Sequence, residues 1–148
     1  MNKERTLIII KPDSLNKKVA GRIISLLEEN ELRLAAGKLV HLSREQAEHF
    51  YAEHKGKEFY EPLVDFMSSN PCLVMVWEGT EAIKRSREII GATDPVNAKA
   101  GTIRRSYATD NRHNAVHGSD SVKSAIREIA FYFPDTEIFS WEEKVYKK

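Results

Sequence analysis

Cysteine is almost absent from this chain, since Cys72 is the only one among its 148 residues. A single cysteine forms no disulfide within the chain and leaves no cysteine pair to bind zinc. Long apolar runs are missing near the start, where Leu7 to Ile10 is too short for a signal peptide or a membrane span. These absences favour a reducing compartment, and we expect a cytoplasmic protein without a membrane partner.

An excess of charge of one sign is also lacking. The chain has 23 lysines and arginines against 22 aspartates and glutamates, which gives a net charge of +1. The overall field therefore attracts neither nucleic acid nor an anionic membrane, and any anion site must be local. Repeats and linkers are missing as well. With 41% hydrophobic residues, residues 1–148 are predicted to form a single domain with its own core.

Apolar periodicity alternates between strand and helix patterns along the chain. Short apolar runs predict strands at 7–10, 34–42, 72–77 and 114–117. Apolar residues three and four apart predict helices at 20–30, from Ser43, at 60–69, between a Thr80 cap and Gly91, and after a cap at Ser119 or Asp120. The last helix carries the most regular apolar stripe. This order fits an α/β class, more closely an α+β sandwich on a βαββαβ plan.

Residues 92–113 show no sustained period, and a long irregular stretch in a small domain is a candidate functional loop. Directly after it stands Asn114-Ala115-Val116-His117-Gly118-Ser119-Asp120. There a histidine ends a strand beside a glycine and a helix start, whose free N–H groups and positive dipole suit an anion such as phosphate. The spacing alone is also compatible with a surface histidine beside an ordinary helix cap.

Other side chains fit a phosphate site around His117. Glu128 on the last helix can orient the imidazole ring. Arg87 and Arg104 flank the irregular stretch with guanidinium groups that suit phosphate, and Lys11 adds a charge at a strand end. A solvated glutamate and surface arginines in salt bridges are the open alternatives.

Phe59 has two possible roles, since an aromatic ring before a helix either packs in the core or stacks on a base. The usual nucleotide and metal motifs do not help, because the chain contains no G-x-x-x-x-G-K-[ST], G-x-G-x-x-G or H-E-x-x-H. Instead, the string NAVHGSD at 114–120 resembles the N-x-x-H-G-S-D signature of nucleoside diphosphate kinases. Further blocks of that family stand in order, namely ERTLIIIKPD, FYAEHKGKEF, MVWEG, GATDP and GTIR.

The resemblance runs from Glu4 to about Phe133 and implies a ferredoxin-like fold, with a four-stranded antiparallel sheet covered by helices. It implies that His117 carries the phosphoryl group and is held by Glu128 and Ser119. It also implies that Phe59 stacks on the base. The residues that the resemblance implies at the phosphate and ribose are Lys11, Tyr51, Arg87, Thr93, Arg104 and Asn114. Among these, Lys11 and Tyr51 are also implied to be catalytic. Ala100 departs from a proline that is frequent in the family, which affects loop stiffness rather than chemistry.

The activity implied by the resemblance is transfer of the γ-phosphoryl group of a nucleoside triphosphate, mainly ATP, to nucleoside diphosphates of all common bases. The exchange would be ping-pong, through a phosphohistidine. Mg²⁺ would be the cofactor, held mainly by nucleotide phosphates rather than by a protein metal site. The resemblance also implies a homo-oligomer, with a hexamer favoured over a tetramer and a tail with Trp141 and Tyr146 placed to cover a neighbouring subunit.

Two rival functions remain at this point. One is a βαββαβ module that binds nucleic acid, which the balanced charge and the lack of an RNP-type aromatic motif disfavour. The other is a catalytically silent assembly protein on the same fold, which an intact histidine motif disfavours. Phosphoryl transfer distinguishes the enzyme from both.

Overall fold

The computed structural model describes residues 3–141. Its centre is a four-stranded antiparallel sheet of β1 (Lys3–Ile10), β2 (Arg33–Val40), β3 (Cys72–Thr80) and β4 (Val116–Gly118). The spatial order is β2-β3-β1-β4, so β1 pairs with both β3 and β4. This is the ferredoxin-like βαββαβ arrangement, and the predicted fold class is confirmed.

Helices cover both faces of this sheet. The α-helices within residues 3–141 are α1 (Pro12–Asn16), α2 (Ala20–Glu29), α3 (Arg44–Phe50), α4 (Tyr60–Ser69), α5 (Ala82–Ile90), α6 (Ile103–Tyr107) and α7 (Val122–Tyr132). In the described part of the chain, no helix combines the length and the apolar character needed to cross a membrane.

The apolar run in β1 explains why the sheet has a core on each side. Successive side chains of a strand point to opposite faces. Leu7 and Ile9 therefore pack with α3, α4 and α7, whereas Ile8 and Ile10 pack with α2, α5 and α6. All four are fully buried, so the second half of the central strand has no polar alternation and its C-terminal end is buried.

Several predicted boundaries are confirmed. The helix predicted at 60–69 matches α4 (Tyr60–Ser69). Ser43 forms a capping box at α3, since its hydroxyl accepts from the Gln46 N–H while the Gln46 side chain accepts from the Ser43 N–H. Gly91 ends α5 with φ +92°, a conformation that glycine adopts at little cost.

Two predicted caps are wrong. Thr80 continues β3, and Glu81, with φ +50° and no side-chain cap bond, precedes α5 instead. The last helix is capped by Ser121, whose hydroxyl accepts from the Ser124 N–H. Ser119 cannot take that role because its hydroxyl is already bonded to β1 and to the side of α7. The irregular stretch 92–113 also contains the short helix α6, which periodicity is too weak to detect over five residues.

The apolar stripe predicted for the last helix is only partly buried. α7 buries Ala125, Glu128 and Tyr132, whereas Val122 is 53% and Ile126 66% exposed. The helix therefore turns a carboxylate inward and leaves part of its apolar stripe without cover in the isolated chain.

Candidate active site

A cavity of about 890 Å³ opens beside the end of β4, a volume typical of small-molecule sites. Its walls come from the α3–α4 connection, the segment between α5 and α6, and the loop before β4. The predicted site residues that line it are Lys11, Tyr51, Phe59, Arg87, Thr93, Asn114, His117 and Glu128. The two others, Ser119 and Arg104, are buried and are not in its lining.

His117 is held on one side by a buried carboxylate. Its Nε2 lies 2.7 Å from Glu128 Oε1, and the Ser119 hydroxyl donates to the same oxygen at 2.8 Å. Ser119 in turn accepts from the Leu7 N–H at 3.1 Å, which ties this chain of contacts to β1. A neutral imidazole thus donates through Nε2 and keeps its lone pair on Nδ1.

The Glu128 carboxylate is ionised at neutral pH. Burial raises its pKa, but the hydrogen bonds from His117 and Ser119 and the positive charges of His117 and Arg127 outweigh burial and leave the pKa below its ordinary value. Glu128 can therefore orient His117 and also stabilise a cationic ring.

Lys11 is buried at the end of β1, and its Nζ donates to Asn114 Oδ1 at 2.7 Å. Burial and the charge of Arg104 lower the pKa of Lys11 to about 8, and the Asp13 carboxylate opposes this change. Among residues 3–141 the Lys11 hydrogen bond goes to a neutral amide, and a poorly solvated cation bonded in this way is suited to meet an anion from the cavity.

Arg104 lies behind the cavity wall and holds the backbone. Its guanidinium donates to the carbonyls of Gly91, Asn114 and Val116 at 3.1, 3.3 and 3.0 Å. Burial and the charge of Arg87 lower its pKa to about 10. In the described conformation Arg104 therefore joins three segments and sets the local potential, while Arg87 lines the cavity directly.

Tyr51, His54 and Phe59 form the aromatic end of the cavity. Phe59 is 44% exposed and lies at the start of α4, so it is not part of the core. Its ring centroid is 5.1 Å from that of His54. Burial raises the pKa of the Tyr51 phenol, whose hydroxyl is buried and has no hydrogen-bond partner among residues 3–141. An orphaned donor beside a cavity fits contact with a ligand.

The structure adds lining residues that the sequence reasoning did not select. The charged ones are Glu53, Asp94, Asp110, Arg112 and Asp120. Their positions in the sequence point to the site, since Asp110 and Arg112 lie in the irregular stretch 92–113 and Asp120 ends the histidine motif. The Asp110 carboxyl accepts from the His113 backbone N–H, which lowers its pKa to about 2. Among the described residues, no three histidine, cysteine, aspartate or glutamate side chains cluster to hold a metal.

The sequence of this chain matches known proteins over most of its length. The family model "Nucleoside diphosphate kinase" matches residues 4–138. A nucleoside diphosphate kinase of Psychromonas ingrahamii is 57% identical over 135 residues, which cover 91% of this chain and 94% of that protein.

Solved structures agree with the sequence matches. A halophilic nucleoside diphosphate kinase of Halobacterium salinarum in complex with CDP has a TM-score of 0.93 at 40% identity, covering 97% of this chain and 96% of that one. The Aquifex aeolicus nucleoside diphosphate kinase has a TM-score of 0.91 at 42% identity, covering 93% of this chain and 100% of that one.

Proposed function

This chain belongs to the nucleoside diphosphate kinase family, and we propose that it transfers the γ-phosphoryl group of ATP to nucleoside diphosphates through a phosphohistidine at His117. It is a phosphotransferase that acts on nucleoside diphosphates. The observation that carries the proposal is the His117–Glu128 pair, with Nε2 at 2.7 Å from the carboxylate. Nδ1 has no hydrogen-bond partner among residues 3–141, and His117 lines the cavity.

The proposed reaction has two half-reactions at one site. In the first, the Nδ1 lone pair forms a bond to the γ-phosphorus, the bond to the bridging oxygen breaks, and the diphosphate leaves with that electron pair. The imidazole keeps its Nε2 proton and becomes cationic, next to the Glu128 carboxylate. In the second, a terminal oxygen of another diphosphate attacks the phosphorus, and the electron pair returns to Nδ1. This sequence gives ping-pong kinetics.

Catalysis of phosphoryl transfer depends mainly on position and charge. Lys11, Arg87 and Asn114 line the cavity near His117 and are proposed to contact phosphate and ribose, together with Thr93. Arg104 is proposed to contribute its charge from behind the wall. The nucleotide would arrive with Mg²⁺, which neutralises charge on its phosphates. A metal that takes its ligands from phosphate oxygens and water needs few protein ligands.

The direct test is incubation with γ-labelled ATP. We expect label on the protein in the absence of any acceptor, and transfer of that label to added GDP, CDP or UDP. Unlabelled protein together with tight binding of single-stranded RNA favours the nucleic-acid module, and unlabelled protein that binds neither nucleotide nor RNA favours the silent assembly protein.

Phe59 is proposed to supply a stacking face for the base. Replacing Phe59 with alanine should raise KM about tenfold with little change in kcat, because stacking on an aromatic ring contributes roughly 1–3 kcal/mol per base. Steady-state kinetics measure this split. Phe139→Ala, which removes another exposed phenylalanine away from the cavity, is the matched control. A loss confined to kcat contradicts the stacking role.

Stacking also predicts weak base selectivity. The residues proposed at phosphate and ribose do not read a base edge, so kcat/KM for ADP, GDP, CDP and UDP should agree within about two decades. Exclusion of pyrimidines well beyond that range contradicts the model.

Glu128 is proposed to position and stabilise the ring rather than to react. Glu128→Gln keeps an oxygen that accepts from Nε2–H but removes the negative charge beside the cationic ring. We expect the rate of transfer to fall about 10–100-fold while the phosphoenzyme still forms. Rapid-quench measurement of His117 labelling tests this, and complete loss of the label shows that the carboxylate itself is indispensable.

We also propose a homo-oligomer, with a hexamer favoured over a tetramer. Support comes from exposed apolar side chains on two elements. Ile126 on α7 is 66% exposed, and Leu39 on the edge strand β2 is 64% exposed. Burying such side chains favours association. The mass in solution, compared with the 16.9 kDa chain, measures the state. Tyr146 and the rest of residues 142–148 lie outside the described part of the chain.

We also propose a single domain over residues 1–148, which the match of the family model to residues 4–138 supports. A cytoplasmic location and the absence of a specific nucleic-acid partner stay predictions.

A further inference from the structure

Ala115, directly before β4, has an unusual backbone conformation. Its φ is +75°, although it carries a side chain and is fully buried. This left-handed region costs free energy for residues other than glycine and persists only where neighbouring groups hold it. Asn114 precedes Ala115 and Val116–His117 follows it, so its conformation sets the relative placement of two residues proposed for the site.

The groups that hold Ala115 come from the junction of β1 and α1. The Ala115 N–H donates to Asp13 Oδ2 at 3.1 Å. The Ala115 carbonyl accepts from the Lys11 N–H at 3.0 Å. Both polar backbone groups of the strained residue are thus bonded to residues about a hundred positions away in the sequence. One of these bonds uses a side chain, and that side chain is Asp13.

The surroundings of Asp13 do not suit a residue that only stabilises a helix end. A carboxylate in the first turn of a helix gains from the helix dipole without needing a bond to a distant segment. Asp13 is half-buried, and its Oδ1 is buried without a hydrogen-bond partner among residues 3–141. Burying an unpaired carboxylate oxygen is unfavourable. The bond from Oδ2 to Ala115 and the nearby Lys11 charge are the compensations that the structure offers.

We propose that Asp13 is a positioning residue whose carboxylate keeps Ala115 left-handed and thereby fixes Asn114 and His117 relative to Lys11. This inference rests on the proposed transfer through His117. Asp13 lies outside the residues lining the cavity and acts through the backbone of the loop.

The test compares Asp13 variants in two backgrounds, the parent and Ala115→Gly. With alanine at 115, Asp13→Ala should lower kcat about 30-fold, since small misplacements of reacting groups carry penalties of up to about 10²-fold. With glycine at 115 the same substitution should lower kcat only about threefold, because glycine adopts positive φ without help. Asp13→Asn keeps an acceptor oxygen and should stay within about threefold of the parent.

Two controls separate positioning from general destabilisation. Glu45→Ala removes an exposed acidic residue from the first turn of another helix, α3, and should leave kcat unchanged. Asp13→Leu fills the same space without an acceptor and replaces Asp13→Ala if the alanine variant does not fold. An equal loss of kcat in both backgrounds overturns the proposal, because it means that Asp13 supports α1 rather than Ala115.

Amide hydrogen exchange tests the contact independently of catalysis. In Asp13→Ala the Ala115 N–H should exchange at least about tenfold faster, while amides in the centre of β1 keep their protection. Unchanged exchange at Ala115 overturns the proposal. If the parent never forms a phosphohistidine, the proposed function fails, and exchange still decides whether Asp13 holds Ala115.

Discussion

Replacing His117 with asparagine should abolish the labelled phosphoenzyme and lower nucleotide exchange by about four orders of magnitude or more, because removal of a nucleophile removes both half-reactions. Asparagine keeps a polar side chain of similar size, so folding and nucleotide binding should persist. The label on the parent should survive alkali and be lost in acid, as expected for a phosphoramidate and opposite to an acyl phosphate. Filter binding after each treatment measures it.

His54 provides the matched control for this substitution, since it also lines the cavity. His54→Asn should retain the label, whereas retention of the label in His117→Asn assigns the phosphate to another residue. Sequential kinetics in the parent contradict the covalent intermediate altogether, because direct transfer requires both nucleotides to be bound at once.

Replacing Lys11 with glutamine should lower kcat/KM about 10²–10³-fold. Lys11 is proposed to pair with a nucleotide phosphate, and loss of one partner of a buried, hydrogen-bonded ion pair costs roughly 2–5 kcal/mol. In the parent, Lys11 is cationic below its pKa of about 8 and neutral above it. The kcat/KM of the parent should therefore fall as the pH rises through about 8, toward the value of the glutamine variant. The variant itself should lack this step.

The same substitution should not destabilise the fold. The pKa of Lys11 is lowered from 10.5 to about 8, so the folded state disfavours the charged form. Keeping Lys11 charged in the folded state therefore lowers the free energy of unfolding by about 3 kcal/mol, at 1.36 kcal/mol per pKa unit. This loss of stability is fully present below pH 8 and is relieved as the pH rises to about 10.5. Lys11→Gln should thus be at least as stable as the parent at pH 7, with a difference that shrinks between pH 8 and 10.5.

Urea unfolding across this pH range measures the difference. Lys84, an exposed lysine on α5, is the matched control, and Lys84→Gln should change neither kcat/KM nor the pH dependence of stability. A marked loss of stability in Lys11→Gln at pH 7 contradicts a net cost of the buried charge.

Much of the fold was predictable because local patterns agree with the tertiary arrangement. The capping box at Ser43 and the helix over 60–69 depend on neighbouring residues and are found as predicted. The cap of α7 was not predicted correctly, since Ser119 bonds to Leu7 and Glu128 instead of capping that helix. Such a choice between local and distant partners is invisible to periodicity.

The sequence by itself determined the order of the elements and the family, because periodicity and motif spacing are properties of the linear chain. Only the tertiary structure decided which partners the charged side chains meet. Lys11 reaches Asn114 across 103 positions, and the guanidinium of Arg104 turns to three carbonyls rather than lining the cavity. It also decided that Ala115 takes a left-handed conformation held by Asp13. The contacts of Lys11 and Asp13 with Asn114 and Ala115 lie where β1 and β4 pair, and hydrogen bonds between distant segments follow from such pairing rather than from any local preference.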